Sequence, residues 1–481
     1  MPIALGLCFY YPLLPSNQHL FKPMRKIMHI LLDADSLTSK ISCVLCYILL
    51  YDYIYEEYIY ELFEYMGNID YIHMSVINRI SWIILSIIPF ALYHRINEIS
   101  TFLCLFIYIL VYIPLIHAFF ITEGLSTIET YCYSFALCGF LTIYFQIHRI
   151  PLLKGMQLSP ICPLYVVEII TLALTIAFLI SRANSMHFVN IFTQADLLYS
   201  LRAENAEKVE ERSLILYVQG WLSGAFYPFL LVWYLKYKSY IKASLILLGF
   251  FLLFMVDMQK STFFIPFIIV VFFYFIRWKE QTICNRLHSF VFWGIIVFSS
   301  LLMLVSDSDN KVLFAIVAIV LLRTVCVTGW LAQMYLHFFQ ENPYTYYTHI
   351  NVVNAITNAY PYDVPLGMAV AYNSQNANAT FFLTEGIASW GIIGVIITGF
   401  IFLALLYFIN SITYRYQKSD IFVIFIPTLI CMLNASIFST LLTGGLFILI
   451  FLFACCDPMA EKEDNNSIKE NASKTIINTT N

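Results

Sequence analysis

Apolar residues in this chain neither alternate with polar ones at a strand's period of two nor keep to one helical stripe. They gather in runs of about 18 residues or more, the length a helix needs to cross a bilayer. Runs such as 245–256 and 391–408 are apolar on nearly every face. A β-barrel needs segments of about 10 residues of alternating polarity, so the pattern excludes one and predicts an all-α, polytopic membrane protein. Twelve spans are predicted, at about 41–55, 77–94, 100–120, 130–147, 160–180, 213–235, 239–256, 262–276, 287–305, 382–409, 419–434 and 438–455. An N-terminal segment at about 1–15 is the alternative thirteenth; it carries Pro2, Pro12 and Pro15, and a span or an interfacial stretch both remain open. It is not a cleavable signal peptide, because Lys22, Arg25 and Lys26 follow the apolar run instead of preceding it.

Orientation follows from where positive charge collects. If alternate connections are cytoplasmic, most of the 26 Lys and Arg residues fall inside, among them Lys40, Arg95, Arg149, Lys154, Lys236, Arg277, Arg415 and Lys418. Eight do not: Arg79, Arg182, Arg202, Lys208, Arg212, Lys260, Lys311 and Arg323. This register predicts an N-terminal transmembrane bundle at 1–305 with an outer loop at 181–212, a large outer loop at 306–381, C-terminal spans at 382–456, and a disordered cytoplasmic tail at 457–481. One apolar stretch, 311–339, breaks the count, since a further span would reverse every later connection. A membrane-parallel or re-entrant segment on the outer side is the expectation, with an ordinary span and a snorkelling Arg323 as the alternative.

Composition narrows the classes. The chain is 60% hydrophobic and 12% charged, against about 45–50% and 25% in soluble domains. A net charge of −4 gives no reason to expect a nucleic-acid partner. The twelve cysteines are scattered through apolar runs, and Cys43-Val-Leu-Cys46 has no second pair or His cluster to complete a zinc site, so neither metal nor other cofactor is expected. Inner connections are short, and no phosphate-binding glycine motif is present, which disfavours ATP-driven transport by this chain.

Candidate chemistry concentrates in the outer loops. Tyr335, His337, Phe339, Tyr344, His349 and Tyr360 interleave with Asn351, Asn354, Asn376 and Asn378. Rings pack on the C–H faces of sugars while amides serve hydroxyls as donor and acceptor; an interfacial aromatic belt explains the rings but not the amides. Arg323 is a guanidinium in an apolar stretch, where a phosphate is a suitable partner. Lys260, next to Asp257, is either a second phosphate ligand or half of a capping pair. Arg182 and Arg202 stand apart from the i,i+4 charge pairs of 204–212 and are further ligand candidates. Glu385 starts the span after the long loop, where it faces a ligand or its own helix dipole.

The segments Arg323…Tyr335-Leu-His-Phe-Phe339…Asn342-Pro343 and Asn376-Ala-Asn378-Ala-Thr-Phe-Phe-Leu-Thr-Glu385-Gly-Ile-Ala-Ser-Trp-Gly391-Ile-Ile-Gly394 resemble the Wzy-type O-antigen and oligosaccharide repeat-unit polymerases of bacterial envelopes. The resemblance covers about residues 320–400, and Gln259-Lys260-Ser261 looks like the short basic motif of that family; Glu385 stands where Asp is frequent. It implies a GT-C-like fold in the bacterial inner membrane with its active site on the periplasmic side. It further implies an undecaprenyl-diphosphate-linked oligosaccharide and membrane lipid as partners, with a chain-length regulator and a flippase beside them. The implied reaction moves a growing glycan from its lipid diphosphate onto a lipid-linked repeat unit. On this reading Arg323 takes the diphosphate, with Arg182, Arg202 or Lys260 assisting, His337 or Glu385 is the general base, and Tyr335, Asn376 and Asn378 position sugars. A lipid-linked oligosaccharide flippase and an O-antigen ligase are the alternatives. A membrane O-acyltransferase is disfavoured, because no His–Asp or His–Glu pairing is readable beside a cytoplasmic acyl-CoA entrance.

Overall fold

The computed structural model describes residues 36–61, 70–153, 161–189, 197, 201, 214–306, 311–372, 377 and 381–457. Arg202, Asn376, Asn378, the segment 1–15 and the tail beyond 457 lie outside the described residues.

Every regular element among the described residues is a helix. In chain order they are α1 (Leu37–Tyr60), α2 (Val76–Ala91), α3 (Ile99–Ile121), α4 (Thr127–Phe145), α5 (Leu164–Ser181), α6 (214–236), α7 (Tyr240–Asp257), α8 (Lys260–Trp278), α9 (Glu280–Ser306), α10 (311–341), α11 (Asn351–Thr357), α12 (Leu366–Val370), α13 (Phe381–Thr413), α14 (Lys418–Ile424), α15 (Ile426–Asn434), α16 (Ile437–Leu442) and α17 (Leu446–Cys455). Eight of these helices are long and apolar enough to cross a membrane, so this is a multi-pass membrane protein. Each of the twelve predicted segments coincides with helix, although the last two are interrupted near Pro427 and at Gly444-Gly445.

Local sequence sets the boundaries. Ser36 and Ser75 cap α1 and α2 by accepting from the N–H groups of Ser39 and Asn78. Ser126 and Glu129 form a reciprocal capping box at the start of α4. Helix α3 is apolar all round and buried along nearly its whole length, as expected of a central helix. It runs parallel to α1: Tyr47 Oη donates to the Ile109 carbonyl and Asp52 meets His117 at 2.8 Å. The end at which α1 and α3 finish, which the charge bias assigns to the outside, is termed the upper end.

Two segments bear on the sequence expectation, the first without overturning it and the second as a departure from it. The stretch 311–339 belongs to one unbroken helical run, α10, with a π turn at Leu322–Cys326. Its early residue Phe314 lies against Tyr58, near the end of α1. Thr328 reaches the Leu110 carbonyl midway along α3, and Gln340 sits beside Gly124 just past its end. Both ends of α10 therefore lie toward the upper end, and much of the expected outer loop is helix.

The second corrects the span predicted at 382–409. Helix α13 breaks at Trp390 and Gly391, where Gly391 has φ +57°, and its two arms fold against each other. Thr398 Oγ1 donates to the Phe382 carbonyl at 3.0 Å, and the rings of Phe382 and Phe402 stack at 5.9 Å. Arm 381–389 is thus re-entrant, rising to a tip at the upper end, and only 392–413, about 33 Å at 1.5 Å per residue, is left to cross. The reason is steric: a Cβ on Gly394 would lie 2.1 Å from the Gly386 carbonyl oxygen, so only glycine allows the arms this close. The orphan carbonyls that end the short arm are met by the Thr345 and Tyr346 N–H groups, each at 2.9 Å, on Ala388 and Ser389. Gly394→Ala is expected to destabilise the protein by about 1–3 kcal/mol, read as a lower melting temperature in detergent. Gly139→Ala, where a Cβ meets nothing within 4 Å, is the neutral control.

Candidate functional site

At the upper end a cavity of about 190 Å³ opens between the start of α4, the end of α10 and the re-entrant arm. Glu129, Tyr133, Gln340 and Tyr344 bring a carboxylate, an amide and two phenols to its wall, and Phe339 brings an aromatic face. The capping box fixes Glu129: its Oε2 takes the Ser126 N–H at 3.2 Å and hydroxyl at 2.7 Å. Phe339 and Tyr344 stack at 5.8 Å, 18° from parallel. The tip of the hairpin closes one side, since a Cβ on Gly391 would sit 2.9 Å from Tyr344 Oη and 3.6 Å from Tyr133 Oη. An apolar face with convergent polar groups is the arrangement of a small-molecule site, and these groups suit a ligand rich in hydroxyls.

One helical turn before Gln340, His337 Nε2 pairs with Asp70 Oδ2 at 2.5 Å. Asp70 is held firmly. The same oxygen accepts the Glu123 N–H at 3.0 Å, and Gln333 brackets its backbone from both sides. Tyr55 Oη in turn donates to Gln333 Oε1. With Nε2–H committed to Asp70, His337 Nδ1 is the basic nitrogen, as in an oriented general base. Hydrogen bonding to Asp70 raises the His337 pKa above the ordinary imidazole value, against the opposing effect of burial.

The other predicted site residues are dispersed. Arg323 sits in the π turn of α10, exposed, with no ion pair among the described residues. His337 follows it fourteen residues later along α10, about four turns on. The two therefore do not meet at one reacting bond, and the expected arrangement of Arg323 at the leaving group with His337 at the nucleophile is not what the structure brings together. Tyr335 is fully buried and donates to the Ala377 carbonyl at 3.0 Å, so it holds the Asn-Ala-Asn segment and does not face a ligand. Lys260 is exposed at the start of α8, while the neighbouring Asp257 carboxylate accepts from Thr262, Gln219 and the Gln259 N–H. Arg182 is half-buried just past α5.

Glu385 is not at the mouth of a helix. It lies within the re-entrant arm, fully buried, where Oε2 accepts the Ile437 N–H at 3.2 Å. Its Oε1 faces His349 Nε2 at 3.6 Å, and neither atom has a hydrogen-bond partner. His349 Nδ1 is tied to Thr345 Oγ1 at 2.9 Å, and that hydroxyl also donates to the Ala388 carbonyl. That hydroxyl has given its proton to the carbonyl, so it accepts from His349 Nδ1–H.

Asp70, Glu129, Tyr133 and Gln340 are the site residues that sequence reasoning missed. Only Glu129 left a signal, the Ser-x-x-Glu spacing of its capping box. Two His–Asp pairs, His337–Asp70 and His117–Asp52, are also present, both toward the upper end. Among the described residues no group of three His, Cys, Asp or Glu side chains could hold a metal ion. In comparisons with protein-family models, curated proteins and solved structures, nothing matches this chain.

Proposed function

We propose that the protein is a polyprenyl-diphosphate-dependent glycosyltransferase of the repeat-unit polymerase type, acting at the outer face of a bacterial cytoplasmic membrane. The observation that carries the reading is a cavity walled by Glu129, Tyr133, Gln340, Tyr344 and the re-entrant hairpin, one helical turn along α10 from an oriented His–Asp pair. In this reading a sugar of the acceptor rests in the cavity, stacked on Phe339 or Tyr344 and held by Glu129 and Gln340. His337 Nδ1 takes the proton of its attacking hydroxyl, and the hydroxyl oxygen displaces the lipid diphosphate from the anomeric carbon of the donor.

The separation along α10 gives Arg323 a different task from leaving-group stabilisation. A polymerase of this type handles two diphosphates: the donor's, cleaved at the reacting carbon, and the acceptor's, which stays intact at the far end of its repeat unit. An exposed guanidinium, planar and bidentate towards phosphate, that lies far from the base along the helix fits the intact one.

Deletion of the gene with analysis of surface glycan tests the reading. The expected result is a ladder of glycan lengths collapsing to one repeat unit on its acceptor. Loss of all surface units with lipid-linked units retained inside would instead assign a flippase, and an unchanged ladder would reject both.

A further inference from the structure

Below the candidate site, inside the bundle, lies a second His–Asp pair that the proposed chemistry leaves unused. His117, on the central helix α3, is fully buried, and its Nε2 meets Asp52 Oδ1 at 2.8 Å. The other oxygen of Asp52 is 3.3 Å from Arg79 Nη2. Three rings wall the imidazole, those of Tyr51, Tyr55 and Trp82, with centroids at 5.0, 5.1 and 5.3 Å. Yet His117 Nδ1 is buried with no hydrogen-bond partner, and so is Trp82 Nε1.

We propose that the His117–Asp52 pair is a proton-binding site, filled from the upper end of the bundle. With His117 neutral, Asp52 and Arg79 balance each other and Nδ1 is an orphan acceptor, a costly state for a buried polar atom. A proton on Nδ1 makes the ring an imidazolium whose Nε2–H faces the Asp52 carboxylate at 2.8 Å, with three aromatic rings in edge-type contact around it. Histidine is the side chain whose unperturbed titration falls in the physiological range.

Polar groups lead to the pair from the upper end. His73, largely exposed, contacts Glu56 at 3.2 Å, and Tyr71 Oη donates to the other Glu56 oxygen at 2.8 Å. The Tyr71 ring is 6.5 Å from that of His117. Toward the opposite end Tyr47, Tyr112 and Tyr108 each donate to a helix carbonyl, of Ile109, Leu85 and Ser86, while Tyr51 Oη and Ser86 Oγ have no hydrogen-bond partner. The titratable and charged groups around the pair are therefore Tyr51, Tyr55 and Glu56 from α1, Arg79 from α2, Tyr71 and His73 from the segment before α2, Tyr112 from α3, and Cys326 of α10 beside Tyr51 and Tyr55.

Occupancy is positioned to be felt at the candidate site. His117 lies between Pro114 and Ala118, against which Gly329 of α10 packs so closely that a Cβ there would be 2.9 Å from the Pro114 oxygen. Tyr55, which touches the His117 ring, leads through Gln333 to Asp70 and His337. The site itself does not depend on the reaction proposed above.

Tryptophan emission of the full chain in detergent, titrated from pH 8.5 to 5, tests the proposal, because a protonated imidazole quenches a neighbouring indole. The expected result is a loss of emission on acidification that disappears in His117→Asn and in Trp82→Phe and moves to lower pH in Asp52→Asn. Trp82→Phe keeps the packing and guards against a His117 variant that fails to fold. A quench that survives in Trp82→Phe, a titration that Asp52→Asn leaves unmoved, or a flat emission profile in the parent protein overturns it.

Discussion

His337→Gln is expected to lower glycan transfer by about 10²–10⁴-fold, the range for removing a positioned general base, while the protein still folds. Glutamine keeps the length and a donor toward Asp70 but has no nitrogen that can take a proton. The pH dependence sharpens the test. The base must be neutral to work, and hydrogen bonding to Asp70 raises the His337 pKa. The rate is therefore expected to climb as pH rises through a value above that of an ordinary imidazole, and to fall away below it. Asp70→Asn removes the cause of the rise, so its acid limb should move to lower pH even as the maximal rate drops, since the ring loses its orientation. A merely structural role for His337 would lower the yield of folded protein and leave the shape of the profile in place. Polymerisation of a lipid-linked repeat unit by the purified protein in detergent, followed across pH 5 to 9, separates the two outcomes.

How much of this was legible in the chain depends on the range of the signal. Spans are local: an apolar run long enough to cross declares itself, and helix is found at each of the twelve segments. The hairpin at 381–413 was hidden for the opposite reason. Hydropathy is high along both of its arms, and nothing in a running average says that Gly391 reverses the chain or that Gly386 and Gly394 touch. Those glycines let helical segments pack closely, and they do so within one hairpin instead of between two spans. The site shows the same division. His337, Tyr344 and Glu385 stood out through residue type in an apolar context, whereas Asp70 sits 267 residues from the histidine it orients and carries no motif. The resemblance placed Arg323 at one reaction centre with His337 or Glu385; fourteen residues of α10 separate Arg323 from His337 in the chain.

The same limit applies to the charges that set orientation. Lys236 and Arg277 were counted as inner-face cations, and in the structure they converge on Asp420 across three helices. Lys236 Nζ lies 2.6 Å from Oδ2, Arg277 Nη2 lies 2.7 Å from Oδ1, and both cations also reach Gln417 Oε1. Asp420 is wholly buried and the Lys236 side chain is 3% exposed, so water is not at hand to replace a lost partner. Asp420→Asn removes the carboxylate on which both cations converge, and the expected cost is about 3–5 kcal/mol, the range for breaking a buried ion pair from one side. It should appear as a large fall in melting temperature in detergent. Part of that loss should return in the double variant Asp420→Asn with Lys236→Met, because it removes the more enclosed of the two cations that faced the lost carboxylate, whereas Arg277, stacked over Phe273 at 4.4 Å and more exposed, retains a partial solvent contact. A double variant no more stable than Asp420→Asn alone would mean that lost packing and not charge dominates, and an Asp420→Asn protein that melts with the parent would mean that this triad does not join α6, α8 and α14.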